Sequence, residues 1–149
     1  MRGFNPTGDC KMEKLAMVVR DDAYDRLLTP LTFAWVMANE GTEVDMLFVL
    51  WAVRALTPQG LRSLRVDAHH AAEEDWLRER LARDGDPVRI HDFIRMLKAT
   101  GKVRLYACRL ATATFDVASE HLIEEAEGIV DSSWFLQEKA MKAQHCQYF

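Results

Sequence analysis

Short apolar runs alternate along this chain with stretches of helical periodicity. Residues 15–19 form one apolar run, residues 44–51 form a second that only Asp45 interrupts, and residues 103–107 form a third that Arg104 interrupts. Such runs are typical of strands that helices cover on both faces of a parallel sheet. Between the first two runs, apolar positions recur at helical spacing over residues 25–40. The pattern predicts a βαβ unit.

Weaker signals define the other elements. We predict helices over residues 73–83, around Phe93 to a stop at Gly101, and over 110–118, with short strands at 88–90 and 129–130. A final helix is predicted to be capped by Ser132 or Ser133. Residues 52–72 carry too few periodic apolar positions to define an element.

These elements predict a single α/β domain with an open, mostly parallel sheet of about five strands and helices on both faces. Residues 1–13 contain glycine and proline with little apolar content, so we interpret them as a flexible leader. The domain then covers residues 14–149.

Composition excludes several classes of protein. The chain has 149 residues, of which 49% are hydrophobic, enough for one core. Its 19 basic and 23 acidic residues are spread without a long basic run, which argues against nucleic-acid binding. The longest apolar stretch, residues 46–53, is too short to cross a membrane, and no secretion signal is visible, so we predict no membrane partner and a cytoplasmic location.

Cys108 is the strongest candidate for chemistry. It ends the third predicted strand, and ligands in open α/β sheets collect at the carboxyl ends of strands. A thiol at the start of a helix is favoured as thiolate by the free N–H groups there, which would also stabilise a persulfide anion. Free cysteines also pack as small hydrophobes, so an unreactive Cys108 stays open.

The chain resembles the DsrE/DsrF-like family of sulfur carriers over about residues 14–142. The resemblance rests on residues 14–22, the helix end at 35–41, the strand at 43–51, the segment 103–108 and the strand at 128–130. It implies a small α/β domain that assembles into trimers or hexamers. It also implies that sulfur is carried as a persulfide on Cys108, without metal or organic cofactor.

The resemblance leads to the hypothesis of a sulfur carrier or sulfurtransferase. Cys108 would accept sulfane sulfur and relay it to an acceptor, with partners such as rhodanese-like or TusA-like proteins. Backbone amides at Arg109 and Leu110, with the charge of Arg109, would stabilise the anion. The alternative is a non-catalytic oligomeric scaffold or binding module of the same fold.

The chain has two further cysteines, which makes three in all. An odd number of widely spaced cysteines does not predict a disulfide framework. Cys146, beside His145 in what we interpret as a C-terminal tail, is a candidate resolving thiol. Cys10 lies in the predicted leader and is interpreted as an incidental exposed thiol.

Other polar groups are weaker candidates, each set against an ordinary solvated surface. His69, His70 and Glu73 could begin a metal site but lack further ligands nearby. Three arginines could bind an anionic sulfur donor or an acidic partner: Arg54, Arg62 and Arg65. Asp67 is the one acidic residue near them in the segment 52–72. A pair of carboxylates, Asp21 and Asp22, is explained better by turn preferences than by catalysis.

Four tryptophans are predicted to anchor the core or a subunit interface: Trp35, Trp51, Trp76 and Trp134.

Overall fold

Five parallel strands form one sheet in the computed structural model, which describes residues 11–149. The strands are β1 (Lys14–Val19), β2 (Glu43–Phe48), β3 (Val103–Cys108), β4 (Ala126–Val130) and β5 (His145–Tyr148), in the order β4-β3-β2-β1-β5. The helices are α1 (Tyr24–Asn39), α2 (Pro58–Arg62), α3 (Glu74–Asp84), α4 (Ile90–Ala99), α5 (Arg109–Thr114) and α6 (Ser132–Phe135). The predicted α/β fold is confirmed.

Short turns of other helical types link these elements. They are 3₁₀ turns at Leu50–Leu56, Ala68–Glu73 and Ser119–His121, and a π turn at Leu136–Ala140. The first and second fill much of the segment 52–72 for which the sequence predicts no element. Within residues 11–149, the structure contains no helix both long and apolar enough to cross a membrane.

A row of large apolar side chains crosses the middle of the sheet. Met17, Met46 and Leu105 are adjacent in the strand register and fully buried. They belong to one cluster with the inward faces of α1 and α4, and burial of each such side chain contributes about 1.5–3 kcal/mol. The opposite face is covered by α6 and the π turn, since Tyr106 contacts the ring of Phe135. Helices therefore lie on both faces, as predicted.

Two strand predictions were wrong, although the number of strands was right. Residues 88–90 form no strand, because the carbonyl of Val88 accepts a hydrogen bond from the Tyr24 hydroxyl at 2.5 Å and α4 already begins at Ile90. The predicted tail instead contains β5, which pairs with β1 through partners such as Ala16 and Cys146. An edge strand is exposed and needs no apolar run, which is why the pattern missed it.

Backbone geometry also moves several element ends. The second strand ends at Phe48 rather than at residue 51, and Leu50 adopts a left-handed φ of 48°. The helix predicted over 110–118 ends at Thr114, followed by Asp116 with a φ of 53°. The residue that precedes α6 is Asp131, and no side chain caps this helix, so the predicted serine cap was wrong.

The predicted leader lies mostly outside the described residues, as does Cys10. Its last residues are attached to the domain, because the Thr42 hydroxyl donates a hydrogen bond of 2.7 Å to the carbonyl of Met12. The Met12 side chain also packs against the core.

Candidate functional site at the carboxyl edge of the sheet

Cys108 is the last residue of β3 and lies opposite Val130 of β4 in the strand register. It is a free cysteine with 6% of its surface exposed. The next residue begins α5, and no side chain caps the N-terminus of that helix. The predicted strand-to-helix position of Cys108 is therefore present, with the thiol residue packed into the core rather than displayed at the surface.

The Arg109 guanidinium pairs with a carboxylate, whereas the sequence predicts that it stabilises the anion on Cys108. Its Nε donates a hydrogen bond of 2.6 Å to Oδ1 of Asp131, the residue that follows β4. Both side chains are well exposed. The ion pair ties together the exits of two neighbouring strands and partly neutralises the guanidinium.

Exposed apolar side chains surround the exits of β2 and β3. Leu110, in the first turn of α5, is 77% exposed, and Leu50 and Trp51 after β2 are each about half exposed. The Trp51 ring lies 5.0 Å from the ring of Phe115, which fixes its orientation. We call Leu50, Trp51 and Leu110 the apolar rim.

Cys146 lies in β5, far from Cys108. Strands β2 and β1 separate β3 from β5, so the two thiols are roughly 14 Å apart across the sheet alone, at about 4.8 Å per strand. A disulfide needs Cα atoms within about 7 Å. The described arrangement does not bring the candidate resolving thiol to Cys108 within one chain.

A buried polar cluster that we did not predict lies on the same sheet face as Cys108. The ammonium nitrogen of Lys139, in the π turn, lies 3.4 Å from Oδ1 of buried Asp45 and 5.7 Å from the Tyr106 and Trp134 ring centres. Burial, with the nearby Asp45 carboxylate, raises the pKa of Tyr106 to about 12. The signal in the sequence was Asp45 itself, the one polar residue of an apolar run.

Two of the three candidate arginines pair with carboxylates other than Asp67, which pairs with Arg26 instead. Arg54 forms an ion pair of 2.6 Å with Asp22, and its guanidinium lies 5.0 Å from the Trp51 ring centre. Arg65 contacts Glu74 at 3.4 Å. Arg62 forms no ion pair with any residue of the 11–149 range.

The two neighbouring aspartates have separate structural roles. Asp21 accepts a hydrogen bond of 2.8 Å from the Ala23 N–H and pairs with Arg26 at 3.0 Å, whereas Asp22 pairs with Arg54. They stabilise the turn before α1 and do not act as a pair.

The histidine candidates form a local contact only. His70 Nδ1 lies 3.5 Å from a carboxylate oxygen of Glu73, and the ring of His69 packs against that of His70. No group of three or more metal-ligating side chains occurs in the part of the chain that the structure describes.

Three of the four tryptophans lie outside the core of the single chain, where only the predicted role as subunit-interface anchors fits them. Trp35 packs against the core from α1, whereas three others have a large exposed fraction: Trp51, Trp76 and Trp134. Trp51 belongs to the apolar rim and Trp134 to the buried polar cluster, so neither is a simple core anchor.

Two cavities lie near this edge, and Cys108 lines neither. The larger, of about 680 Å³, has walls of mixed charge that include Asp22, Arg54, Glu120 and His121. The smaller, of about 280 Å³, lies beyond α2, and its charged walls are basic. Arg62 contributes to both.

Comparison with known proteins identifies the fold alone. No protein-family model and no curated protein matches the chain. The chain is similar to the structure of a protein of unknown function, MTH1491 from Methanobacterium thermoautotrophicum, with a TM-score of 0.55 and 13% sequence identity. The match covers 91% of this chain and 98% of that one.

Proposed function

We propose that the protein is a sulfur carrier in which Cys108 holds sulfane sulfur as a persulfide. One observation carries the proposal: Cys108 ends an interior strand of a parallel sheet, at the residue before a helix whose N-terminus no side chain caps. Reacting groups in open α/β sheets collect at this position. The family resemblance of the sequence supports the same assignment.

The chemistry needs no added oxidant or reductant. The Cys108 thiolate attacks the outer sulfur of a donor persulfide, R–S–SH, forming one S–S bond and breaking another. The products are Cys108–S–SH and the donor thiolate, R–S⁻. Transfer to an acceptor thiolate repeats this exchange, with Cys108 as the leaving thiolate.

The surroundings of Cys108 suit a carrier that works by docking. A persulfide on Cys108 would lie at the residue that precedes α5, whose first backbone N–H groups lack intrahelical partners. Burial shields the sulfur from water until a partner binds, and the apolar rim offers that partner an adhesive surface. Assembly into trimers or hexamers, with rhodanese-like or TusA-like proteins as donor or acceptor, is part of this proposal.

A second function is favoured by the burial of Cys108. At 6% exposure the residue also fits a cysteine that packs as a small hydrophobe. The Arg109 guanidinium, moreover, forms an ion pair with Asp131 and not with the thiol. The protein would then be an oligomeric scaffold or binding module with an unreactive Cys108.

Intact mass separates these functions. The native chain is incubated with polysulfide and, separately, with a persulfidated rhodanese-type protein, beside Cys108→Ser and Cys146→Ser. The carrier gains one or more sulfur atoms, which a reductant removes and which Cys108→Ser alone abolishes. No gain on the native chain, with Cys108 resistant to alkylation until denaturation, would overturn the carrier and favour the scaffold.

The rim is tested with a matched pair of variants. Leu110 and Met141 are exposed to similar degrees, 77% and 79%, but only Leu110 lies beside Cys108. For a docking carrier, Leu110→Glu slows sulfur transfer from the protein donor and leaves loading by polysulfide unchanged. Met141→Glu leaves both unchanged. Equal effects of the two variants would remove the docking role of the rim.

A further inference from the structure

The smaller cavity lies between the N-terminal ends of α1 and α4 and the short helix α2. Its volume is about 280 Å³, near the lower end of the range for small-molecule sites. Tyr24, Ile90 and leucines in and after α2 form apolar walls. Such a space suits a ligand with a body about the size of one ring.

The charged side chains that line this cavity are all basic. The basic side chains that line the cavity are Arg62, Arg78, Arg89 and His91, and no Asp or Glu among residues 11–149 lines it. A pocket with apolar walls and several basic groups selects a ligand with an anionic group on an apolar body.

One of the arginines that line the cavity has no carboxylate partner among residues 11–149. Arg78 and Arg65 share one partner, Glu74, whose Oε1 lies 2.7 Å and 3.4 Å from their guanidinium nitrogens. Arg62 forms no ion pair within the described range. Among the arginines that line the cavity, Arg62 therefore lacks a carboxylate and Arg78 shares one, and an anion in the cavity would give Arg62 a partner.

The walls are held in place before any ligand binds. The Arg78 guanidinium stacks 3.8 Å above the Tyr24 ring, and the Tyr24 hydroxyl donates a hydrogen bond of 2.5 Å to the Val88 carbonyl. On the other side, Arg89 pairs with Asp92 at 2.7 Å, and His91 lies 3.1 Å from Glu125. A preorganised site binds more tightly because little ordering is required.

The backbone adds to the same preference. Arg89, Ile90 and His91 line the cavity at the start of α4, a ten-residue helix without a side-chain cap. The first N–H groups of an α-helix lack intrahelical partners and favour anions. This contribution accompanies the basic walls and is not needed to define the site.

We propose that this cavity binds a small organic anion, an apolar body of about one ring that carries a carboxylate or a phosphate. The guanidinium of Arg62 would take the anionic group, and the Tyr24 and Ile90 side chains would contact the apolar body. Because Cys108 does not line the cavity, the site is independent of the sulfur-carrier proposal.

The test is a titration of the full-length ¹⁵N-labelled protein with three ring-sized probes. Benzoate carries a carboxylate, phenyl phosphate carries a phosphate, and benzyl alcohol is the neutral control. We expect either anion to change the backbone amide chemical shifts of Ile90, His91 and the residues of α2. The anion with the lower Kd identifies the preferred head group. The Kd of benzyl alcohol should be higher than that of the better anion by about tenfold or more.

Two arginine variants make the test specific. Arg62→Gln removes the unpaired charge from an exposed position and should raise the Kd of the better anion about tenfold. Arg83→Gln removes an exposed arginine of α3 that does not line the cavity and should leave the Kd unchanged. Shifts scattered away from the cavity, equal binding of benzyl alcohol, or equal Kd values for the two variants would overturn the proposal. None of these results bears on sulfur loading of Cys108.

Discussion

The ammonium nitrogen of Lys139 lies 3.4 Å from Oδ1 of Asp45, between the sheet and the π turn after α6. That oxygen is buried and accepts no hydrogen bond from residues 11–149, so the contact is an ion pair without hydrogen-bond geometry. A buried carboxylate is expensive to maintain, and its single cation therefore matters for stability.

We expect Lys139→Met to lower the free energy of unfolding by about 1–3 kcal/mol, because it leaves the Asp45 carboxylate buried without a counter-charge. Asp45→Asn removes that charge and should have a smaller effect, and the double variant should recover part of the loss. Urea unfolding at neutral pH measures all three. Lys142→Met is the control, since its ion pair with Glu138 is exposed. Additive effects of the two substitutions would contradict the coupling.

Acid should weaken the fold partly through Glu125. Burial opposes ionisation of this carboxyl, but hydrogen bonds from His91 and Arg95 outweigh it and hold the pKa below its ordinary value of 4.5. A lowered folded-state pKa contributes stability that is complete above the unfolded pKa and is lost as pH falls through the folded pKa.

Glu125→Gln should therefore lower the unfolding free energy by about 1–2 kcal/mol at neutral pH, with a difference from the native chain that shrinks below about pH 4.5. Urea unfolding across the acid range measures this. Glu124→Gln is the matched control, because Glu124 is exposed and the described chain gives it no ion pair. A difference that stays constant with pH would show that Glu125 acts only through packing.

Gly60 is required by space and not by its backbone angles. A Cβ at this position would lie 1.8 Å from the carbonyl oxygen of Arg54, and a backbone atom moves little. We expect Gly60→Ala to lower the unfolding free energy by about 2–4 kcal/mol.

Gly101 offers the contrasting case. Its φ of 70° favours glycine, but nothing lies within 4 Å of a Cβ built there. Since asparagine tolerates this region, Gly101→Asn should change the unfolding free energy by less than about 1 kcal/mol. The midpoints of urea unfolding compare the two variants. A larger loss at Gly101 than at Gly60 would contradict the steric explanation.

Cys108 and Cys146 should not form a disulfide within one chain, because two strands separate β3 from β5. Mild oxidation of a Cys10→Ser variant, followed by alkylation and intact mass, should give monomers that keep both thiols. Disulfide-linked dimers on a non-reducing gel would place the thiols on different chains. Loss of both thiols in a native monomer would contradict the strand order.

The sequence predicted the interior of the sheet well, because strands buried on both faces of a parallel sheet are predominantly apolar. Met17, Met46 and Leu105 lie in such runs, and each run forms a strand. The edge strand β5 escaped prediction, since its residues are half exposed and its partner β1 is distant in the chain. Val88 and Ile90 misled the prediction, because the Val88 carbonyl bonds to Tyr24, far away in sequence, and Ile90 begins α4.

The candidate site was predictable only where it follows from topology. A residue at the end of a buried strand lies at the carboxyl edge of the sheet, so the position of Cys108 could be inferred. The Arg109–Asp131 ion pair joins residues from two strand exits, and no local pattern predicts it. The anion cavity draws its walls from α1, α2, α3 and α4, so it exists only once the helices have packed.

The placement of β5 beside β1 affects how the chain folds during synthesis. Strand β1 is made before the other strands of the sheet, and its outer neighbour β5 follows well over a hundred residues later. At about 5–20 residues per second, the ribosome needs roughly 6–25 s to supply it. During that interval the backbone groups along one side of β1 have no strand partner, and an unpaired strand edge is a template for aggregation. The nascent chain is therefore most in need of a chaperone before its last strand emerges.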